Sequence, residues 1–452
     1  MGKLGVLGIG ESGVGAALLA QKHGWDVFLS DGGRPKPSYS AFVAARGWRH
    51  ETQKHTPEEL FSADVVVKSP GIPPTAPVVM ALRERGVEVI SEIEWAYRFC
   101  NTANIIAVTG SNGKTTTCTL IHLLLKGAGR NAALCGNIGR SFAAQVCEAP
   151  ADWYVVETSS FQLEDIVRFR PKVAVFTNLS RNHLDRYDGS MEKYGAAKMR
   201  LLENMGADDF VVAYRDSPAL MAALTTHRGN CPASFHYYSE KYSDGLSAWM
   251  ADKQLIFHDM KGNKRNSGID NESLFTPPNN QNLTAAWLAT ELVHCRNENV
   301  REMLSGFENL DHRLERVRFL DGVAYLNDSK STTVYSTWYA LDRFDSPIVW
   351  IMGGRDKGND YGELLPLVTQ KVKAIVALTT EVEKIREAFA KVVPTFIHVT
   401  DMNEAVRIAR SLAVADDIVL LSPACASFDL FESYEQRGEA FKKAVLALEE
   451  KA

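Results

Sequence analysis

The chain has 452 residues, a length that at roughly 150 residues per domain implies about three domains. Apolar residues make up 45% and charged residues 23%, the balance of a globular protein, and the net charge of −5 offers no basic excess to attract nucleic acid or an anionic membrane. No apolar run approaches the ~20 residues that cross a bilayer, the N-terminus lacks a signal-peptide layout, and the seven cysteines form no CxxC pair; a cytoplasmic chain without disulfide framework or zinc module is expected.

Apolar β-rich runs alternate with helical patterns, which predicts parallel α/β architecture. The first block reads as a strand over Leu4–Gly8, a helix over Val14–Gly24 and a strand over Asp26–Ser30. Strands at Asp64–Val67 and Val87–Ile90 flank a helix near Ala76–Arg85. The second block begins with a strand at Asn104–Val108, continues through a helix after Lys114, and reaches strands at Trp153–Val156 and Val173–Thr177. Trp249–Asp252 and Gln254–Phe257 read as a hairpin, Lys261–Asn271 as a polar loop, and Asn282–Cys295 as a helix. The third block repeats strand–helix units with strands at Val323–Leu326, Ile348–Met352, Ala374–Leu378, Thr395–His398 and Ile418–Leu421, and ends in a helix over Gln436–Glu449. Domains are expected at 1–102, 103–309 and 310–452.

The sharpest motif is Gly110-Ser111-Asn112-Gly113-Lys114-Thr115-Thr116, directly after an apolar strand. Glycines let backbone N–H groups close around phosphate oxygens, and the helix that follows offers its positive end. Lys114 can reach terminal phosphates and the Thr115 hydroxyl can ligate Mg²⁺. Val108 stands where a full P-loop has its first glycine, so this is a shortened variant.

Gly8-Ile9-Gly10-Glu11-Ser12-Gly13, with Asp31 at the end of the next strand, has the layout of a dinucleotide fingerprint. It leaves the nucleotide open: any diphosphate-linked sugar or nucleoside could use the same amides, and a glycine turn with only a packing role remains the alternative. Glu157, at the end of Trp153–Val156, is placed to hold Mg²⁺ beside a P-loop. Taken alone, His183 and Lys198 read as a surface histidine and a solvated helix lysine on Met191–Glu203. In the third block, Asn327–Thr333 either binds an anion or caps its helix. With Gly353–Gly358 and Ser422–Asp429 it forms a set of polar loops at strand C-termini, a candidate ligand edge. Cys425 has no local base and reads as a packing residue.

In order along essentially the whole chain, these segments resemble the Mur ligase family of ATP-dependent amino-acid ligases. The resemblance is carried by the Gly8 turn, Ser69-Pro70-Gly71, Gly110–Thr116, Glu157–Gln162, Asn178 with His183 and Asp185, and Ala196-Ala197-Lys198. It continues in His312-Arg313, Asn327–Lys330, Gly353–Lys357 and Ser422–Asp429, the last running on through Tyr434-Glu435-Gln436-Arg437-Gly438 to Phe441; this run looks most like the D-glutamate-adding member.

The resemblance implies three α/β domains: an N-terminal Rossmann-like domain binding a UDP-sugar, a central P-loop ATPase-type domain, and a C-terminal Rossmann-like domain binding the amino acid. It further implies amide formation between D-glutamate and UDP-N-acetylmuramoyl-L-alanine, through an acyl phosphate and a tetrahedral intermediate, by a monomer serving peptidoglycan precursor synthesis. ATP and two Mg²⁺ ions are implied with it. Lys114, Glu157, His183 and Lys198 would be catalytic. Thr115, Glu157, His183 and Lys198 would serve the metals, Lys198 only when carbamylated, because a free ammonium cannot ligate a cation. ATP would meet Gly110–Thr116, Asn279, Asn282, Arg313, Asp328 and Lys330. Gly10, Glu11, Ser12, Asp31, Ser69, Gly71 and Asn137 would line the UDP-sugar site, and Thr332, Lys357, Ser427, Phe428 and Tyr434 the amino-acid pocket.

The chain departs from the family pattern in three places: Pro278-Asn279 stands for His-Asn, Asp31-Gly32-Gly33-Arg34 for Asp-Thr-Arg, and Tyr434 for Phe. An acyl phosphate hydrolyses in water, so closure of the third domain on the second is expected, with hinges near 102 and 310. Competing readings are another Mur ligase with a different substrate; a folylpolyglutamate synthase relative, which has no need of the first hundred residues; a nicotinamide oxidoreductase, which leaves the P-loop without purpose; and a nucleotide-dependent switch or binding protein, which leaves the third-domain loops unexplained.

Overall fold

In the computed structural model the described residues are 2–182, 184–229, 231–251, 253–259, 261–275, 277–295, 299–305, 307 and 311–450. Three sheets carry them, one per sequence block.

The first sheet is wholly parallel, in the spatial order Arg49–Thr52, Asp26–Asp31, Lys3–Leu7, Val65–Lys68, Glu88–Ser91. The chain reverses direction of travel across the sheet between Lys3–Leu7 and Val65–Lys68, the switch point where open α/β sheets take ligands. Helix Glu11–Lys22 buries its small residues Gly13, Gly15, Ala16, Ala17 and Ala20, so it can lie close on neighbouring elements. Arg49–Thr52 and the helices Pro37–Ala45 and Pro57–Phe61 were not apparent from the apolar pattern, because their short segments are half-exposed and carry little period.

The central sheet has nine strands in the order Lys264–Asn266, Gln254–His258, Ala248–Ala251, Ser234–Ser239, Phe210–Tyr214, Val173–Phe176, Ile105–Thr109, Trp153–Glu157, Ala132–Gly136. The expected hairpin is present, with Trp249 opposite Ile256. The expected polar loop at Lys261–Asn271 is corrected in part: Lys264–Asn266 forms an exposed edge strand antiparallel to Gln254–His258. Helix Asn279–Glu291 is buried nearly all round and packs on helix Lys114–Gly127, which explains its weak amphipathic signal.

The third sheet runs Glu315–Leu320, Val323–Asn327, Ile418–Leu421, Ile348–Met352, Val372–Leu378, Thr395–Val399. All neighbours are parallel except the first pair. Apolar cores cover both faces, one around Trp350 and Phe389, the other around Tyr325 and Phe441. Ile418–Leu421, late in sequence, is inserted between Val323–Asn327 and Ile348–Met352. That insertion brings the ends of three strands, and the three polar loops that follow them, side by side.

Two compact units result, Met1–Arg181 with Ser190–Phe307, and Asn182–Gly189 with Glu308–Ala452. The first unit joins the first and central sheets, and three carboxylates tie them together, the buried Glu94 and Asp165 and the exposed Glu11. Glu94 Oε2 accepts the amides of Val167, Arg168 and Phe169 at 2.9, 2.8 and 2.8 Å. Asp165 receives Lys68 Nζ at 3.0 Å, with Arg83 beside it, and Glu11 Oε1 accepts the Ser141 amide at 2.9 Å. A Cβ on Gly15 would sit 2.1 Å from Ser141 Oγ, so the helices Glu11–Lys22 and Phe142–Glu148 meet through a glycine. The hinge expected near 102 is therefore a tied junction. No helix among the described residues is long and apolar enough to cross a membrane.

Candidate functional site

The phosphate loop is shaped by its neighbours. Strand Ile105–Thr109 lies between Trp153–Glu157 and Val173–Phe176, so the loop emerges between Glu157 and Asn178. Gly110 has φ +146°, and a Cβ there would meet Thr177 Oγ1 at 2.0 Å; Gly113 has φ +80°, and a Cβ there would meet Asn282 Oδ1 at 2.4 Å. Both glycines are demanded by backbone and by space. Asn178 Oδ1 accepts the Asn112 amide at 3.0 Å and Asn178 O accepts that of Ser111 at 3.0 Å, holding the loop open. The helix starting at Lys114 presents amides that have no intrahelical acceptor, a ready anion site.

Some of the expected ATP and metal residues lie close to this loop in the same unit. Thr115 Oγ1 donates to Glu157 Oε2 at 2.8 Å, and Asn137 Nδ2 donates to Glu157 Oε1 at 2.9 Å. Asn137, expected on the UDP-sugar, is thus a partner of the acid. The Thr116 hydroxyl is buried without a partner among the described residues. Lys114 Nζ donates to the carbonyls of Gly110 and Ser111 at 3.0 and 2.9 Å. Asn282 Oδ1 accepts from Thr117 at 3.2 Å, and Asn279 Nδ2 donates to Ser273 O at 3.0 Å.

The bland reading of Lys198 is overturned. It is 2% exposed, its Nζ donates to Gly110 O at 2.9 Å, and it lies 4.7 Å from the centre of the Tyr194 ring. Burial first, and then the nearby Lys114 charge, push its pKa well below the usual lysine value, with Glu157 opposing. Helix Met191–Met199 is followed by a 3₁₀ turn, Arg200–Leu202, where one continuous helix was expected. His183 lies outside the described residues. Among the described residues no group of three His, Cys, Asp or Glu is placed to hold a metal. The hydroxyl–carboxylate pair Thr115–Glu157 nevertheless supplies hard oxygen donors of the kind Mg²⁺ takes alongside phosphate and water.

At the first sheet, Asp31 Oδ2 accepts the Ile9 amide at 2.7 Å and Oδ1 that of Gly33 at 2.8 Å, so the acid shapes its own turn. A Cβ on Gly13 would lie 2.0 Å from Gly8 O, whereas Gly10 and Gly71 have nothing within 4 Å. The fingerprint glycines thus divide: Gly13 serves packing and Gly10 borders open space. Ser69 Oγ lies 3.4 Å from Gly8 O across the switch point, and Ser12 is half-buried in the first turn of Glu11–Lys22. Glu11, beyond its bond to Ser141, accepts from the Tyr39 hydroxyl at 3.3 Å.

In the third domain the three loops converge on Arg437, whose role sequence reasoning left unassigned. Its guanidinium is 2% exposed and bonds to Ser329 Oγ at 3.0 Å, Ser329 O at 2.9 Å, Cys425 O at 3.2 Å and Gly353 O at 3.3 Å. One side chain from helix Tyr434–Leu446 therefore fixes all three loops, and burial lowers its pKa to about 10. Asp328 is raised to about 6 by burial, opposed by the Ser331 hydroxyl and the Arg313 charge; it accepts from Ser422 Oγ at 2.8 Å. Arg313 Nε is buried without a partner among the described residues.

Lys330 Nζ lies 5.1 Å from the centre of the Tyr434 ring, Ser427 is buried, Thr332 and Lys357 are half-buried, and Phe428 is 62% exposed. Phe428 therefore stands on the surface rather than in an enclosed pocket. Asp356 holds the turn after Gly354 through the Gly358 and Asn359 amides and the Tyr361 hydroxyl. Cys425 is a packing residue as expected, 3.1 Å from the Tyr361 hydroxyl, its thiol pushed up to about 12 by burial.

Comparison with known proteins agrees with this layout. The Mur ligase MurD-like N-terminal domain matches residues 2–91, the Mur ligase middle domain 108–288, and the Mur ligase glutamate ligase domain 312–425. UDP-N-acetylmuramoylalanine--D-glutamate ligase of Christiangramia forsetii is 44% identical, covering 98% of this chain and 99% of that protein. The protein of the same name from Bacteroides fragilis is 43% identical, covering 99% and 100%. Among solved structures, UDP-N-acetylmuramate-alanine ligase MurC of Thermotoga maritima shares the fold with a TM-score of 0.61 at 16% identity, over 98% of this chain and 99% of that one. With three domain models in series and relatives of that identity along its whole length, the chain belongs to the Mur ligase family.

Proposed function

We propose that the protein is an ATP-dependent amide ligase that joins D-glutamate to UDP-N-acetylmuramoyl-L-alanine in peptidoglycan precursor synthesis, acting as a monomer in the cytoplasm. The observation that carries ATP use is the phosphate loop with Thr115 donating to Glu157 beside the buried Lys198. The choice of acceptor and amino acid is supported by full-length relatives that bear that activity in their names.

A carboxylate is a poor electrophile, so an oxygen of the acceptor carboxylate attacks the γ-phosphorus of ATP, ADP leaves, and an acyl phosphate forms. The amine of D-glutamate then attacks the acyl carbon, passes through a tetrahedral intermediate and expels phosphate, losing a proton to give the amide. Lys114 and the amides of Gly113–Thr116 hold the phosphates in line and balance the charge spread over the transferring oxygens. Thr115 and Glu157 would hold Mg²⁺, which when bound neutralises phosphate charge. His183 and a carbamylated Lys198 are the candidate residues for a second ion; the depressed pKa of Lys198 makes its free amine, the form that reacts with CO₂, more abundant.

Asn279, Asn282, Arg313, Asp328 and Lys330 are assigned to the nucleotide and the transferring phosphate. Gly10, Glu11, Ser12, Asp31, Ser69, Gly71 and Asn137 are assigned to the UDP-sugar, and Thr332, Lys357, Ser427, Phe428 and Tyr434 to the amino acid. Lys357 and the amides around Ser427 suit a dicarboxylate, which needs cationic and backbone donors.

The test is phosphate release with Mg-ATP, UDP-N-acetylmuramoyl-L-alanine and a panel of D-glutamate, L-glutamate, L-alanine, L-lysine and diaminopimelate. Release that requires both the nucleotide and D-glutamate is expected. Release with another amino acid would move the substrate and keep the mechanism; release with none would overturn the ligase.

A further inference from the structure

Beneath the end of strand Asp26–Asp31 lies a relay that no role above uses. Ser30 is fully buried, and its Oγ is 2.7 Å from Glu51 Oε1 and 2.7 Å from His55 Nδ1. Glu51 also accepts the Thr56 amide at 2.7 Å and the Thr56 hydroxyl at 2.5 Å. Burial pushes the Glu51 pKa up, but Thr56, Ser30 and Lys54 outweigh it and hold the carboxyl below its usual value, so it is an ionised acceptor. A hydroxyl has one hydrogen. An ionised carboxylate can only accept, so at 2.7 Å Ser30 gives it to Glu51, and Lys54 O is distant at 3.4 Å. Its oxygen must then accept from His55, which places a proton on Nδ1. In the neutral imidazole this leaves Nε2 as a bare acceptor.

The direction of Nε2 is set by a glycine. A Cβ on Gly32 would lie 2.9 Å from His55 Nε2, and no hydrogen-bond partner of Nε2 occurs among the described residues. Gly32 stands where the family pattern has Thr, so the absent side chain leaves the ring nitrogen uncovered immediately beyond Asp31. In a dinucleotide-type fold the acid at this strand end marks the nucleoside side of the ligand. The trio is no nucleophile relay, because Ser30 is buried and its hydrogen faces Glu51.

We propose that His55 Nε2 reads the nucleobase of the UDP-sugar by accepting the uracil N3–H, with Ser30 and Glu51 fixing the tautomer. The proposal rests on the reading of the first domain as the UDP-sugar site. It names a discrimination: uracil carries a hydrogen on N3, whereas cytosine presents a lone pair there, which would face that of Nε2.

The test is direct binding of UDP, CDP and N3-methyl-UDP to the full-length protein by calorimetry, at about pH 8.5, above the ordinary imidazole range. The wild type should prefer UDP to both others by roughly tenfold to a hundredfold. In His55→Ala the three should bind within about twofold to threefold of one another, the loss falling on UDP. His55→Gln, whose carboxamide oxygen can accept in that place, should recover part of the preference, and Ser30→Ala should weaken it with the imidazole still present. Thermal melting checks that each variant is folded, and a variant that fails to fold leaves the other two to decide. A UDP preference unchanged in folded His55→Ala would overturn the role of His55 while leaving the ligase intact. A wild type that binds all three nucleotides alike would overturn the proposal, even if phosphate release with the full substrate stands. Binding of UDP with no ligation in the phosphate-release test would overturn the ligase and leave this proposal standing.

Discussion

Single residues separate chemistry from scaffolding. Lys114→Ala should abolish D-glutamate-dependent phosphate release, by about 10³-fold or more, since it removes the cation of the phosphate loop; turnover within tenfold of wild type would remove Lys114 from the mechanism. The two fingerprint glycines give a sharper contrast. Gly13→Ala forces a Cβ to within 2.0 Å of Gly8 O and should cost several kcal/mol of stability in urea unfolding. Gly10→Ala meets nothing within 4 Å, so it should unfold like the wild type and lose affinity for the UDP-sugar by roughly tenfold if a ligand fills that space. Both glycines were legible as a motif; which one packs and which one yields to a ligand was not, because that depends on where Gly8 O comes to lie.

Elements are positioned by buried acids as much as by apolar faces. Helix Glu92–Arg98 presents Glu94 to three amides of the Val167–Phe169 turn. Glu94→Ala would take the acceptor from three amides, of which that of Phe169 is buried, and should destabilise by about 1–3 kcal/mol in urea unfolding, with Glu94→Gln costing less. Glu92, on the same helix, is raised to about 8 by burial and by Glu11, against the Ala143 amide that lowers it. The folded state therefore keeps a proton that the unfolded state releases above the ordinary carboxyl range. Stability from this group is full below about pH 4.5 and lost as pH rises toward 8. Glu92→Gln should flatten that slope and raise the melting temperature most near pH 8; an unchanged profile would show that Glu92 is ionised in the fold. Neither acid could be read from sequence, since their partners lie about fifty to seventy residues away and an acid early in a helix is ordinary.

At the scale of the whole molecule, the junction of the first and central sheets predicts shared unfolding. A pivot near 102 would strip Glu94 from its amides and pull Asp165 from Lys68 and Arg83. Calorimetry should show these two sheets melting in one transition, which Asp165→Ala should split or broaden; separate transitions in the wild type would contradict the tie. In the third domain Arg437 has the corresponding role, and Arg437→Met should loosen three loops together because four protein acceptors lose their donor.

The sequence alone determined the three-domain α/β plan, because continuous apolar runs alternating with helical patterns have few ways to bury themselves, and it located the phosphate loop because glycine, lysine and threonine at that spacing serve few other ends. It also placed Glu157 at a strand end. The tertiary structure decided what stands beside what. Insertion of Ile418–Leu421 between earlier strands aligned the three loops under Arg437, and the parallel pairing of Asp26–Asp31 with Arg49–Thr52 set Ser30 beside Glu51 and within reach of His55. Lys198 passed from an unremarkable helix lysine to a buried amine at the phosphate loop. The reason is common to all three: periodicity reports which face of an element is buried, while the partner that a polar group meets there is chosen by strand order and close packing between distant segments.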